Sequence, residues 1–202
     1  MKRFLTCSFL IGLISAAIIS AGCKAKPLNY GNSGRVIVAF GDSITAGYGV
    51  SKQEAYPALL AKLTGRQVIN LGVSGETAAQ GLNRIESIKP YKPYMVLIEF
   101  SGNDFLKRRP LAETEKSLLD MVEYAQKQGA IAVLVETGGN FTLKPYKKMM
   151  KQIAKDKEAL FVPAIMEGIL NKSSLKADTI HPNAAGHKIV AGRIFKTIKP
   201  YL

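Results

Sequence analysis

Tryptophan is absent from this chain, and only two cysteines and two histidines occur among its 202 residues. Acidic side chains are scarce too, with 15 Asp and Glu against 28 Lys and Arg and a formal net charge of +13. Each shortage excludes something. Cys7 and Cys23 lack the C-x-x-C spacing of a structural zinc site, and a mature chain without Cys7 would form no internal disulfide. No phosphate cradle of the G-x-x-x-x-G-K-[ST] or G-x-G-x-x-G type is present, which argues against a nucleotide-binding fold. No basic stripe is interleaved with aromatics and no RNP-like segment occurs, so nucleic acid is not an expected partner despite the charge. The lysines are spread along helix-like segments, and an exported protein with such a surface meets anionic lipid and cell-wall polymer.

What is present begins with an uncharged run, Phe4 to Cys23, behind Lys2 and Arg3. A positive start, an apolar stretch and the small residues Ser20-Ala21-Gly22 describe an export leader. Residues 1–22 are therefore expected to be a signal peptide, 23–34 a tether and 35–202 a single domain. The run is also about long enough to span a bilayer, which keeps an uncleaved anchor open. Ser20-Ala21-Gly22-Cys23 resembles the lipobox of bacterial lipoproteins. That resemblance makes Cys23 a lipidation site, the membrane a partner through its lipid, and the periplasmic side of the cell envelope the expected location. Ser20 stands where leucine is usual, and ordinary cleavage at the same bond would give a soluble periplasmic protein.

Beyond the tether, short apolar runs alternate with longer periodic ones. Val36 to Phe40, Val68 to Leu71, Met95 to Phe100, Ile131 to Glu136 and Leu160 to Val162 have the length and β-branched content of strands buried on both faces. Between them, Leu82, Ile85 and Ile88, and again Leu118, Met121, Val122 and Ala125, carry helical spacing, and a last helix is expected over Asn183 to Ile198. The alternation predicts a three-layer α/β/α sandwich around a five-stranded parallel sheet. Ligands of such folds collect at the carboxyl ends of the strands, and there the sequence places glycine and small polar residues: Gly41-Asp42-Ser43, Gly72-Val73-Ser74-Gly75, Ser101-Gly102-Asn103-Asp104 and Glu136-Thr137-Gly138-Gly139-Asn140.

Gly41-Asp42-Ser43 alone reads first as a helix cap, since Asp and Ser favour that position, and second as a nucleophile held at a turn. A serine needs a base, and the base needs a third group to orient it. His187 falls inside the last helix, where a packing or surface role is the default. His181 precedes Pro182, which places it on a loop, and Asp178 lies three residues upstream, within reach of one imidazole nitrogen. The pair also fits a simple loop-closing hydrogen bond. For an oxyanion, the Ser43 N–H at a helix start, the Gly75 N–H and the Asn103 amide are candidate donors from three loops.

The ordered blocks GDSITAGYG, NLGVSGET, SGNDF and DTIHPN resemble those of the SGNH, or GDSL, hydrolases, with the lysophospholipase, acyl-CoA thioesterase I and arylesterase branch most similar. The resemblance covers about Val36 to Leu202. It implies a flavodoxin-like hydrolase fold and no cofactor or metal. It also implies Ser43, Asp178 and His181 as the triad, Ser43, Gly75 and Asn103 as the oxyanion hole, and Asp42 as the residue shaping the turn. Ser101 stands where glycine is common, which is expected to add a hydroxyl beside the site and narrow the pocket. In the loop that follows Asn103 and begins with Asp104, Phe105 and Leu106 are expected to touch an acyl chain. Lys107, Arg108 and Arg109 are expected either to face an anionic leaving group or to form a solvated charge cluster. The implied activity is a monomeric serine esterase acting on an acyl ester or lysolipid. The alternatives are an O-acetylesterase for envelope carbohydrate and a non-catalytic envelope-binding lipoprotein. G-x-S-x-G is absent around Ser43, which argues against an α/β-hydrolase lipase.

Overall fold

Ile37, Val38, Ala39 and Phe40 carry no polar side chain and are fully buried, so their backbone groups must pair with strands on both sides. They do so in β1 (Ile37–Gly41), which lies between β2 (Val68–Gly72) and β3 (Met95–Glu99). β4 (Ile131–Val135) and β5 (Leu160–Val162) extend the sheet on the far side of β3, all parallel, in the order β2-β1-β3-β4-β5. This computed structural model describes residues 26–138 and 143–202.

Period-two alternation along each strand feeds two cores. Val38, Phe40, Val96 and Ile98 pack against α5 (Leu111–Lys127) and α6 (Lys144–Asp156) through Leu118, Met121, Met150 and Ile153. Ile37, Ala39, Met95 and Leu97 face α2 (Tyr56–Thr64) and α7 (Ala184–Ile198) through Tyr56, Leu60, Val190 and Ile194. Each such side chain contributes about 1.5–3 kcal/mol of burial free energy, so the α/β/α sandwich rests on both layers. The two edge strands depart from two-sided burial: Asn70 of β2 is exposed, and Phe161 of β5 is half-buried.

Two regions differ from expectation. Leu82, Ile85 and Ile88 are not on one α-helix: α3 (Ala78–Leu82) ends there and a 3-10 helix spans Ile85–Tyr91 with Pro90 inside it. A spacing of three suits the 3-10 repeat as well as the α repeat, and Pro90 has no N–H to give to an α ladder. Ile85 and Ile88 remain buried. The described part of the expected tether, residues 26–34, is bound to the domain: Leu28 N–H donates to Glu158 O at 2.9 Å, Asn29 Nδ2 to Gln126 O at 2.8 Å and Asn32 Nδ2 to Tyr94 O at 3.1 Å. The leader and Cys23 lie outside the described residues. Among the described residues no helix is long and apolar enough to cross a membrane.

The chain leaves β1 to one side for β2 and to the other for β3. The crevice at their carboxyl ends is therefore the topological switch point, where an open parallel sheet accepts ligands.

Candidate active site

Gly41 ends β1 where a Cβ would collide with the Thr45 side chain and the Glu99 carbonyl, so only glycine lets the chain turn there. The turn leads into α1 (Ser43–Ala46), whose N-cap is Asp42: its Oδ1 accepts from the Ile44 N–H at 3.0 Å. Asp42 is thus the cap, and the Ser43 hydroxyl is left for other work. Ser43 Oγ lies 2.9 Å from His181 Nε2, and His181 Nδ1 lies 2.7 Å from Asp178 Oδ2. The other oxygen of Asp178 accepts from the backbone N–H groups of Ile180 at 2.8 Å and His181 at 2.7 Å. Those donors, chiefly the His181 N–H, hold the Asp178 carboxyl down at about 2. An ionised carboxylate only accepts, so Nδ1 carries the imidazole proton and Nε2 is free to take one from Ser43. Tyr48 packs on the His181 ring with centroids 4.5 Å apart, a contact that the sequence blocks did not single out.

Helix α4 (Gly102–Leu106) presents Asn103, whose Nδ2 donates to Asp42 Oδ2 at 3.1 Å. An amide nitrogen has two protons, so one remains for a ligand. Ser43, Asn103 and His181 share a cavity of about 110 Å³ whose apolar wall is Ile44, Phe105, Leu106, Leu143, Leu170 and Ile180. Gly75 lies outside that lining, on the loop after β2, at φ +83° with open space where a Cβ would be. Its carbonyl accepts from Lys107 Nζ at 2.6 Å.

Other expected site residues are placed differently. Ser101 is buried but does not line the cavity, so it does not narrow it. Its φ of +136° is a region that favours glycine, which explains the usual residue there. Asp104 is buried with its carboxylate turned away to the Ala78 N–H and to Thr114 Oγ1 at 2.9 Å, where it ties α3 to α5. Lys107, Arg108 and Arg109 are also absent from the lining. Lys107 donates to the Gly75 carbonyl, and Arg109 Nη2 lies 2.7 Å from both carboxylate oxygens of Glu113, one turn on.

A buried polar layer below Ser43 escaped sequence reasoning. Glu99, fully buried, accepts from Thr45 Oγ1 at 3.0 Å and Thr137 Oγ1 at 3.1 Å, and Thr45 shares a 2.9 Å bond with Tyr56 Oη. His187 Nδ1 accepts from the Tyr56 N–H at 3.2 Å, while its buried Nε2 has no partner among the described residues. A signal was available in β3, where Glu99 is the one charged residue in an apolar run. A larger concavity of about 910 Å³ lies at the amino ends of the strands, near Arg35, Lys89 and Lys92, but no histidine or carboxylate lines it. The chemistry is on the opposite edge.

Comparison with known proteins identifies the family. The pattern of the GDSL-like lipase/acylhydrolase family matches residues 39–189, from β1 into α7. The chain belongs to that family. This GDSL-like acylhydrolase is 28% identical over 199 residues to esterase TesA of Pseudomonas aeruginosa, covering 92% of this chain and 99% of that one. It is 29% identical to thioesterase 1/protease 1/lysophospholipase L1 of Escherichia coli K12, covering 81% of this chain and 83% of that one. The crystal structure of the psychrotrophic esterase EstA from Pseudoalteromonas sp., inhibited by monoethylphosphonate, superposes with a TM-score of 0.75 at 28% identity, over 83% of this chain and 98% of that one. The chain is a hydrolase of the GDSL esterase family.

Proposed function

We propose that this hydrolase cleaves carboxylic esters or thioesters of acyl chains through a Ser43–His181–Asp178 triad and an acyl-enzyme. The single observation that carries the reading is the unbroken relay at 2.9 and 2.7 Å, opening on a cavity with an apolar wall. Ser43 Oγ attacks the ester carbonyl while its proton passes to His181 Nε2, and Asp178 stabilises the imidazolium that forms. The oxyanion is met by the Ser43 N–H at the start of α1, the free N–H of the Asn103 amide and the Gly75 N–H, and their preset aim is what lowers the barrier. His181 then protonates the departing alcohol or thiol. Water, activated by the same nitrogen, releases the acid and restores Ser43.

The test is hydrolysis of p-nitrophenyl esters from acetyl to palmitoyl, with Ser43→Ala beside the wild type. Activity lost in the variant and retained label from a fluorophosphonate only on Ser43 is the expected result; full activity in Ser43→Ala overturns the reading. The O-acetylesterase reading has its own support in the cavity's small volume of about 110 Å³, and a strong preference for acetyl over octanoyl esters would select it. Export and attachment through Cys23 complete the proposal, and the mass of the mature N-terminal peptide tests them.

A further inference from the structure

The hydrolytic steps make no use of Glu99, yet its carboxyl is fully buried directly below the turn that carries Ser43. The groups that face it are Thr45 from α1, Thr137 from the loop after β4, Tyr56 of α2 through Thr45, and Asp42, itself buried, whose backbone N–H donates to the Glu99 carbonyl at 3.2 Å. None of these is a cation, and the guanidinium of Arg84, which donates to the Gly41 carbonyl at 3.2 Å, is bonded to backbone and to Glu76 rather than to either carboxyl. Two carboxyls buried next to each other without a cation between them do not both ionise, so the pair favours holding one proton. Asp42 already receives the Ile44 N–H and the Asn103 amide, both of which favour an anion there. Glu99 has only hydroxyls, which rotate to suit a neutral acid as readily as an anion.

We propose that Glu99 is a positioning residue of this hydrolase: as a neutral carboxylic acid it donates its proton to Asp42, and the Asp42 anion so held aims the Ser43 turn and the Asn103 amide at the reacting carbonyl. The proposal rests on the esterase reading above. Burial pushes both carboxyls upward, Asp42 to about 6 and Glu99 well above the ordinary glutamate range, in keeping with one proton shared by the pair. When Glu99 finally ionises, a second negative charge stands against Asp42 in a dry site, and the turn and amide lose their common anchor.

Two substitutions in the full-length protein separate positioning from packing. Glu99→Gln keeps a neutral donor and an acceptor of the same shape; Glu99→Leu keeps neither. With kcat normalised to fluorophosphonate-labelled Ser43, Gln is expected to stay within about threefold of wild type and Leu to fall about tenfold or more, with KM within about twofold in both. The alkaline limb of the wild-type rate is expected to move to higher pH in Gln. A Leu variant that melts lower but keeps its kcat per labelled site overturns the proposal, and so does a Gln variant as impaired as Leu. Infrared difference spectra with 13C-labelled glutamate give a readout free of activity: a protonated-carboxyl band at neutral pH in the wild type, lost in Gln. Absence of the band refutes the neutral acid even if the enzyme is active, whereas an inactive wild type with the band refutes the esterase reading alone.

Discussion

Asp178 and Glu99 serve one site with the same functional group under opposite conditions. The Asp178 side chain is 40% exposed and accepts two backbone N–H groups, so its charge is stabilised and its carboxyl is held at about 2. Glu99 is wholly buried among hydroxyls and another carboxyl, so burial holds it far above the ordinary range. The two histidines repeat the contrast. His181, at the mouth of the cavity, has a partner on each ring nitrogen, whereas His187, six residues on, is pushed down to about 4 by burial and has a partner on one. The outer layer keeps a stabilised charge within reach of solvent. The inner layer is built to hold shape by keeping charge low, and residue type alone does not tell them apart: solvent access and donor count do.

The sharpest way to break that contrast is in the outer layer. Asp178→Asn is expected to lower kcat on p-nitrophenyl esters about 10⁴-fold, because the amide no longer fixes the Nδ1–H tautomer. The same variant should unfold at nearly the wild-type temperature, since an exposed pair adds little stability. A variant that lost stability and kept activity would invert the assignment of the layers.

The inner layer is tested by acid. His187 has a folded value of about 4, below the ordinary 6.5, so the unfolded chain takes up its proton first as pH falls. Its contribution is complete above about pH 6.5 and is lost as pH falls toward 4, approaching about 3 kcal/mol. Urea unfolding across that window should show the slope in the wild type and a flatter one in His187→Gln, which keeps an acceptor for the Tyr56 N–H.

Smaller effects sharpen the connection between the layers, which runs through α4. Ser101 precedes it at φ +136°, and Ser101→Gly is expected to stabilise the protein by about 1 kcal/mol by releasing backbone strain, read as a higher midpoint in urea. Lys107→Ala frees the Gly75 carbonyl from its 2.6 Å contact, and a loss of about two- to threefold in kcat with unchanged KM is expected if that contact steadies the oxyanion loop. An unchanged kcat would leave Lys107 as surface charge.

Most of the outer layer was legible in the linear chain because each piece is local. Asp178 reaches His181 across three residues, Pro182 keeps that histidine off the helix, and Asp42 caps a turn two residues on. The sheet was legible for a similar reason: apolar runs of four to six residues separated by periodic segments admit few other arrangements. The inner layer was not. Thr45 and Glu99 lie 54 residues apart, Glu99 and Thr137 38, and Tyr56 and His187 131; Thr45 and Tyr56 are only 11 apart, but neither carries the layer without its distant partners. For Lys107, Arg108 and Arg109 the linear chain left a substrate-facing and a solvated reading open, since the Gly75 carbonyl that Lys107 meets comes from another loop.

From the sequence by itself came the α/β alternation, the placing of small polar residues after each strand, and a serine, a histidine and an aspartate in four ordered blocks. Those are consequences of backbone periodicity and of turn chemistry, which act over a few residues. Only the tertiary structure decided that Asp42 rather than Ser43 caps α1, that residues 26–34 bind the domain, and that Glu99 lies beneath the turn carrying Ser43. Each of these depends on which groups lose water together. Desolvation is a property of packed neighbours, and packing across the sheet joins residues that the chain keeps far apart.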